Sequence, residues 1–315
     1  MRSLKIIFMG TPAFATTNLH NLILNNFNIQ AVVTAPDKKS GRGQKIHYSD
    51  VKKYCINKNL DLLQPINLKD ENFINKLKSY EADLFIVVAF RMLPELVWRI
   101  PKKGTINLHA SLLPQLRGAA PIQWAIIHGL KKTGLTTFFI NKDIDTGDII
   151  DSRTVEINDH ENSGDLYKKL EKTGVILLIS TIKKIKRNKF NTINQTGENE
   201  NLLLAPKLSR ENTRIDWNKA GKDINNLIRG LNPKPSAWTK SKVDDKIIKI
   251  HNTIFHKSKP KNNIIGQIIF SKNVLKIMLI DGYLEVLELQ IEGKKSMKGV
   301  DFINGYKSYE SQILF

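Results

Sequence analysis

Asn107 and His109 stand two apart in the stretch Thr105-Ile106-Asn107-Leu108-His109-Ala110-Ser111-Leu112-Leu113-Pro114, and a carboxylate follows at Asp145 in Asp145-Thr146-Gly147-Asp148. In extended backbone, residues i and i+2 leave the same face, so an amide and an imidazole emerge side by side. An amide cannot titrate, but its N–H suits a developing oxyanion. Imidazole is the side chain best fitted to moving a proton near neutral pH. A carboxylate bonded to the far ring nitrogen would set the tautomer and stabilise the charged ring. A lone histidine at a strand end is more often structural, but the neighbouring Asn and the downstream Asp in a glycine turn favour a functional trio. No nucleophile accompanies these residues. The attacking atom must come from a substrate, which fits direct acyl transfer between two bound molecules.

Other chemistries lack their residues. Seven histidines are scattered through the chain, and none has zinc-ligand spacing with a cysteine partner. No Gly-x-Ser-x-Gly elbow and no phosphate-binding Walker loop occurs.

The elements that must position the trio follow from hydrophobic pattern. Lys5–Met9 reads as a buried first strand, with Thr11 as N-cap and Pro12 at the first helical position of the helix that follows. Ile29–Val33, Leu84–Ala89, Gly104–Leu108 and Thr136–Ile140 read as further strands, and the β-α-β order implies a parallel sheet. In such a sheet ligands bind beyond the carboxyl ends of the strands, where Asn107 and His109 fall. Ile122–His128 suits a short helix, and Ser163–Ile185 a long one opened by a Ser-x-Asp cap. Residues 35–45 read as a long cationic loop, either simply solvated or, through Gly41-Arg42-Gly43, a mobile arm reaching for phosphates. The segment from Asn188 turns polar and reads as a linker. Beyond it Ala220–Arg229 suits a helix, and Ile247–Ile254, Ile264–Phe270, Val274–Leu279 and Leu284–Ile291 suit short strands of an antiparallel barrel. The expected division is therefore 1–187, a linker at 188–204, and 205–315.

At 315 residues the chain has material for two such domains, and its 41% hydrophobic and 25% charged residues are ordinary for a globular protein. The net charge of +19 is not ordinary, and it predicts a polyanionic partner, nucleic acid first. The excess is spread evenly, 29 basic against 19 acidic residues in 1–204 and 20 against 11 in 205–315, so such a partner should touch both halves. A single cysteine, Cys55, leaves no internal disulfide and suits a reducing compartment. No stretch approaches the roughly 18 apolar residues of a membrane span. A cytoplasmic monomer without membrane contact and without a metal is expected.

Over essentially its whole length the sequence resembles the methionyl-tRNA formyltransferases. The matching stretches are Met9-Gly10-Thr11-Pro12, Gly41-Arg42-Gly43, Asn107 to Pro114, Arg117-Gly118-Ala119-Ala120-Pro121-Ile122, Asp145-Thr146-Gly147-Asp148, Ala205-Pro206-Lys207-Leu208, Arg214-Ile215-Asp216-Trp217, Arg229 to Pro233 and Glu292-Gly293-Lys294-Lys295. The resemblance implies an α/β chain, a Rossmann-like formyltransferase domain followed by a small OB-like β-barrel. It implies transfer of a formyl group from 10-formyltetrahydrofolate to the α-amino group of methionine on initiator tRNA, for translation initiation. It assigns catalysis to Asn107, His109 and Asp145, folate contact to Ser111, Leu112, Leu113 and Pro114, and tRNA contact to Arg42 and Lys207. Two places depart from the family pattern. Ala89-Phe90-Arg91-Met92-Leu93-Pro94 is a residue shorter and lacks the usual Tyr-Gly, and Asn232-Pro233-Lys234-Pro235 carries a lysine in place of tryptophan.

Three alternatives stand beside this reading. Formyltransferases acting on a sugar nucleotide or a purine precursor share the Asn-His-Asp half but lack the Gly-Arg-Gly loop. A catalytically idle RNA-binding protein would use the barrel and basic surface alone, with no need of a proton shuttle. A hydrolase that merely deformylates the folate would leave the charge of +19 without purpose.

Overall fold

The computed structural model describes residues 3–40, 44–195, 201–258 and 264–315. The chain forms two compact units that are interleaved in sequence. The first comprises 1–118, 134–155 and 168–204; the second comprises 119–133, 156–167 and 205–315.

The first unit is built on a seven-stranded sheet in the order Ile149–Glu156, Lys132–Phe139, Thr105–His109, Leu84–Val88, Lys5–Gly10, Asn28–Val33, Leu62–Leu63. Continuous apolar runs make its centre: Ile6 to Met9 and Leu84 to Val88 are all buried, as expected of strands covered on both faces. The sheet is mixed rather than wholly parallel. Thr105–His109 runs parallel to Leu84–Val88 but antiparallel to Lys132–Phe139. From the first strand the chain moves outward one way, then returns to build on the other side. The crevice at that switch lies beyond Gly10 and Val88, which are register partners. Gly10 is required there, since a Cβ would fall 2.5 Å from Ala15 Cβ and 2.9 Å from the Val88 carbonyl.

Beneath the strand bearing Asn107 and His109 lies the helix Ser163–Lys186. Its Gly174 allows close approach, with an added Cβ meeting Leu108 Cδ2 at 3.2 Å. Ile106 and Leu108 are thus directed into packing while Asn107 takes the opposite face. The cap of this helix is Asn162 rather than the expected Ser-x-Asp: Asn162 Oδ1 accepts from Asp165 N at 3.0 Å and Asp165 Oδ2 accepts from Asn162 N at 3.2 Å. The first helix also differs from expectation. It begins at Ala13 with Pro12 as its uncapped N-cap residue, because Pro12 keeps an extended ψ of 176° and is one step too early to be helical.

Residues 35–45 are not the plain loop expected. Lys38–Ser40 and Lys45–His47 pair antiparallel, and the Asp37 carboxylate, bonded to Lys52 Nζ at 2.6 Å, secures the approach to the first of these strands. Gly41, Arg42 and Gly43 lie outside the described residues.

In the second unit an antiparallel sheet runs Ala237–Lys240, Ile247–Lys257, Gly282–Ile291, Val274–Leu279, Ile268–Ser271. Its burial alternates along Gly282–Ile291, the mark of one face turned to a core. The last residues close the sheet: Leu314 bridges Ser241 and Ile313 bridges Gln267, joining the two edge strands as a barrel. Phe302, fully buried on the helix Gly299–Gly305, fills the interior among Ile248, Leu275, Leu284 and Val286. The helix Pro121–Ile127 packs on Gly221–Gly230 in this unit, where a Cβ on Gly230 would meet Ile127 Cγ1 at 2.7 Å. Among the described residues no helix is long and apolar enough to cross a membrane.

Candidate active site

Strand Thr105–His109 delivers its two polar groups at its carboxyl end. Asn107 pairs in register with Val87 on one side and Phe138 on the other, and His109 lies opposite Thr136. Apolar neighbours therefore wall the amide. Its Oδ1 is buried without a hydrogen-bond partner. That is costly for a polar atom in a finished core and expected of a group waiting for a ligand.

His109 is only 6% exposed. Two acceptors face its ring: the Leu116 carbonyl lies 2.9 Å from Nε2 and Asp145 Oδ2 lies 3.7 Å from Nδ1. The Asp145 contact is too long for a hydrogen bond, so the direct bond expected from the sequence is not made here. The carboxylate is held instead by Gly118, whose N–H donates to Asp145 Oδ2 at 2.9 Å. Leu116 and Asp145 both have left-handed backbone, with φ of 59° and 55°.

The segment after the strand is internally tied. Ser111 is fully buried, and its hydroxyl donates to the Gln115 carbonyl at 2.6 Å. Thr136 Oγ1 donates to the Ser111 carbonyl at 2.7 Å and accepts from Leu113 N at 3.1 Å. Leu113 is buried as well, while Leu112 and Pro114 are half-buried. Of the four residues assigned to folate, Ser111 and Leu113 thus hold the loop in shape, while Leu112 and Pro114 keep part of their surface exposed.

The Asp145 loop is shaped by Asn141, whose Oδ1 accepts from Asp143 N at 3.1 Å and Thr146 Oγ1 at 2.9 Å. Gly147 brings it against the sheet, where a Cβ would lie 1.7 Å from the Phe139 carbonyl. In the shortened segment after Leu84–Val88, Ala89 takes a φ of 47°. Arg91 then binds the Ile66 carbonyl at 2.9 Å and the Pro65 carbonyl, and burial holds its basicity below that of an ordinary arginine. Lys207 is exposed and belongs to the second unit, with its carbonyl accepting from Asn212 Nδ2 at 3.0 Å. Among the described residues no group of three or more His, Cys, Asp or Glu is placed to hold a metal ion.

Sequence reasoning missed two contributors: the Leu116 carbonyl on the ring and the Gln195 side chain on the Asp145 loop. A carbonyl has no sequence signature. Gln195 sits in a polar stretch whose composition reads as linker.

A protein-family model described as "Formyl transferase" matches residues 4–182, and one described as "Formyl transferase, C-terminal domain" matches residues 207–307. The methionyl-tRNA formyltransferase of Flavobacterium johnsoniae is 49% identical over 97% of both chains. The chain belongs to the methionyl-tRNA formyltransferase family. The family relative from Bacteroides fragilis is 45% identical over 98% of this chain and 97% of its own. Among solved structures, the sugar 3N-formyl transferase WlaRD superposes with a TM-score of 0.66 at 21% identity, over 94% of this chain and all of its own. HypX from Aquifex aeolicus gives 0.65 at 16% identity, over 98% of this chain and 50% of its own. At those identities the likeness establishes the fold, a Rossmann-like unit followed by the family's C-terminal domain.

Proposed function

We infer that this family member transfers the formyl group of 10-formyltetrahydrofolate to the α-amino group of methionine on initiator tRNA, as a monomer in the cytoplasm. The observation that carries the reading is full-length likeness to relatives of that activity, joined to an Asn107–His109–Asp145 cluster that offers proton transfer without a nucleophile. A trio that contributes no nucleophile suits attack by one substrate's amine on the other's formyl carbon. The new C–N bond forms there as the bond to the folate nitrogen breaks, and one proton moves from amine to folate.

The residues divide that work. Asn107, walled by Val87 and Phe138, turns its amide N–H to the formyl oxygen as charge develops. His109, between the Leu116 carbonyl and Asp145, takes the amine proton and returns it to the leaving nitrogen. Asp145 favours the charged ring at that moment. Leu112, Pro114 and the loop backbone of Ser111 and Leu113 support the folate. Arg42 and Lys207 meet tRNA phosphate, in keeping with the net charge of +19.

The test is formyl transfer from labelled 10-formyltetrahydrofolate to charged initiator tRNA, beside uncharged and elongator tRNA. Formylation of the charged initiator alone is expected. Equal transfer to an amino-sugar nucleotide, or none to the tRNA, overturns the reading.

A further inference from the structure

Residues 190–195, which composition reads as linker, are part of the catalytic unit. Phe190 packs against Phe139 with ring centroids 5.8 Å apart. Ile193 and Ile149 exchange two backbone hydrogen bonds of 2.8 Å, and Asn194 Nδ2 donates to Asp148 Oδ1 at 3.0 Å. The segment ends at Gln195, a glutamine 6% exposed.

Gln195 joins the two loops that set the site. Its Oε1 accepts from Arg117 Nε at 3.2 Å and Nη2 at 2.8 Å, and its Nε2 donates to the Gly147 carbonyl at 2.6 Å. Arg117 precedes Gly118, whose N–H holds the Asp145 carboxylate. Gly147 follows two residues after Asp145, pressed against Phe139 with no room for a Cβ. Among the described residues, the hydrogen bond from Gly118 N–H to the Asp145 carboxylate therefore runs between two loops that one amide bridges. Gln195 thus ties the loop that carries Gly118 to the loop that carries Asp145, whose Oδ2 lies 3.7 Å from His109 Nδ1.

We propose that Gln195 is a positioning residue for formyl transfer, acting through Asp145 on His109. It touches neither substrate. An amide is suited to the task because it accepts from a guanidinium and donates to a carbonyl at once, which neither a carboxylate nor an apolar side chain can do. The proposal rests on the catalytic reading of Asp145 given above.

The experiment is a double-mutant cycle on formyl transfer to charged initiator tRNA, with Q195A, Q195M, D145N and the pairs Q195A/D145N and Q195M/D145N. Q195M keeps volume while removing all three of these hydrogen bonds, and thermal melting of each variant monitors the fold. Q195M is expected to lower kcat about 10- to 100-fold, the scale of a misplaced catalytic group, with tRNA and folate KM changed less than about 2-fold. In the D145N background the same substitution should cost less than about 2-fold, since groups acting as one unit are not additive. Wild-type turnover for Q195M would show that Gln195 only fills space. A full loss persisting in D145N, or a loss confined to KM, would show that it does not act through Asp145. Wild-type turnover for D145N would instead overturn the catalytic reading itself.

Discussion

At the scale of single residues, the site is a histidine between two acceptors beside an amide with an orphaned oxygen. Replacing His109 by Ala should lower turnover by on the order of 10²- to 10⁴-fold, the usual worth of general acid–base catalysis. Asn107→Ala should lose about 10²- to 10³-fold, as for a missing oxyanion donor. Single-turnover kinetics at saturating substrates measures both, and a near-normal rate for H109A would refute the assignment. The types and spacing of Asn107 and His109 were legible because a strand converts a two-residue interval into a shared face. Their partners were not: the Asp145 bond to Gly118 and the Leu116 carbonyl at Nε2 arise from left-handed backbone, which no residue type announces outside glycine. Away from the site, burial pushes the Cys55 thiol up to about 11 from an ordinary value of 9.0. The unfolded thiol ionises first, so Cys55 leaves stability unchanged below pH 9 and lowers it as pH rises from about 9 to about 11. A disulfide reagent at pH 8 should leave the native thiol unmodified and react once denaturant unfolds the chain; rapid native reaction would contradict its burial.

At the scale of elements, continuous apolar runs gave the central strands correctly, since Ile6–Met9 and Leu84–Val88 are buried on both faces. The antiparallel placement of Lys132–Phe139 beside Thr105–His109 escaped a β-α-β reading, because strand direction depends on where the chain returns and not on its local pattern. The barrel strands were legible from alternation, whereas their closure was not. Leu314 and Ile313 bridge opposite edges through backbone groups, and backbone pairing carries no side-chain signal. Removing residues 312–315 should open those edges and expose Ile268 and Leu275, both 2% exposed in the intact barrel. The expected outcome is a lower melting temperature with tRNA-dependent activity lost at 37 °C while folate binding persists; an unchanged melting temperature would show the closure to be incidental. Helix Ser163–Lys186 offers a finer test. Asn162→Ala removes one half of its reciprocal cap and should cost about 1 kcal/mol in denaturant unfolding; no change would mean that Asp165 alone holds the turn.

At the scale of the whole molecule, a charge of +19 spread over both halves predicts strongly salt-dependent affinity for tRNA. Arg42→Ala should raise the apparent tRNA KM and reduce the salt slope by about 0.9 for a lost phosphate contact, leaving folate affinity unchanged; equal loss toward both substrates would mark the segment as structural. Residues 119–133 and 156–167 group with the C-terminal unit, so a fragment ending at Leu204 would strand Ile127, which packs against that unit's core. Such a fragment should aggregate by light scattering rather than behave as a free folate-binding domain. The same interleaving has a consequence during synthesis. The helix Pro121–Ile127 leaves the ribosome roughly 90 residues before Gly221–Gly230, the partner that covers it. At typical elongation rates it waits roughly 5 to 20 s with its apolar side uncovered. For that interval the nascent chain presents the kind of surface that chaperones bind, and its solubility depends on how quickly the last hundred or so residues are made.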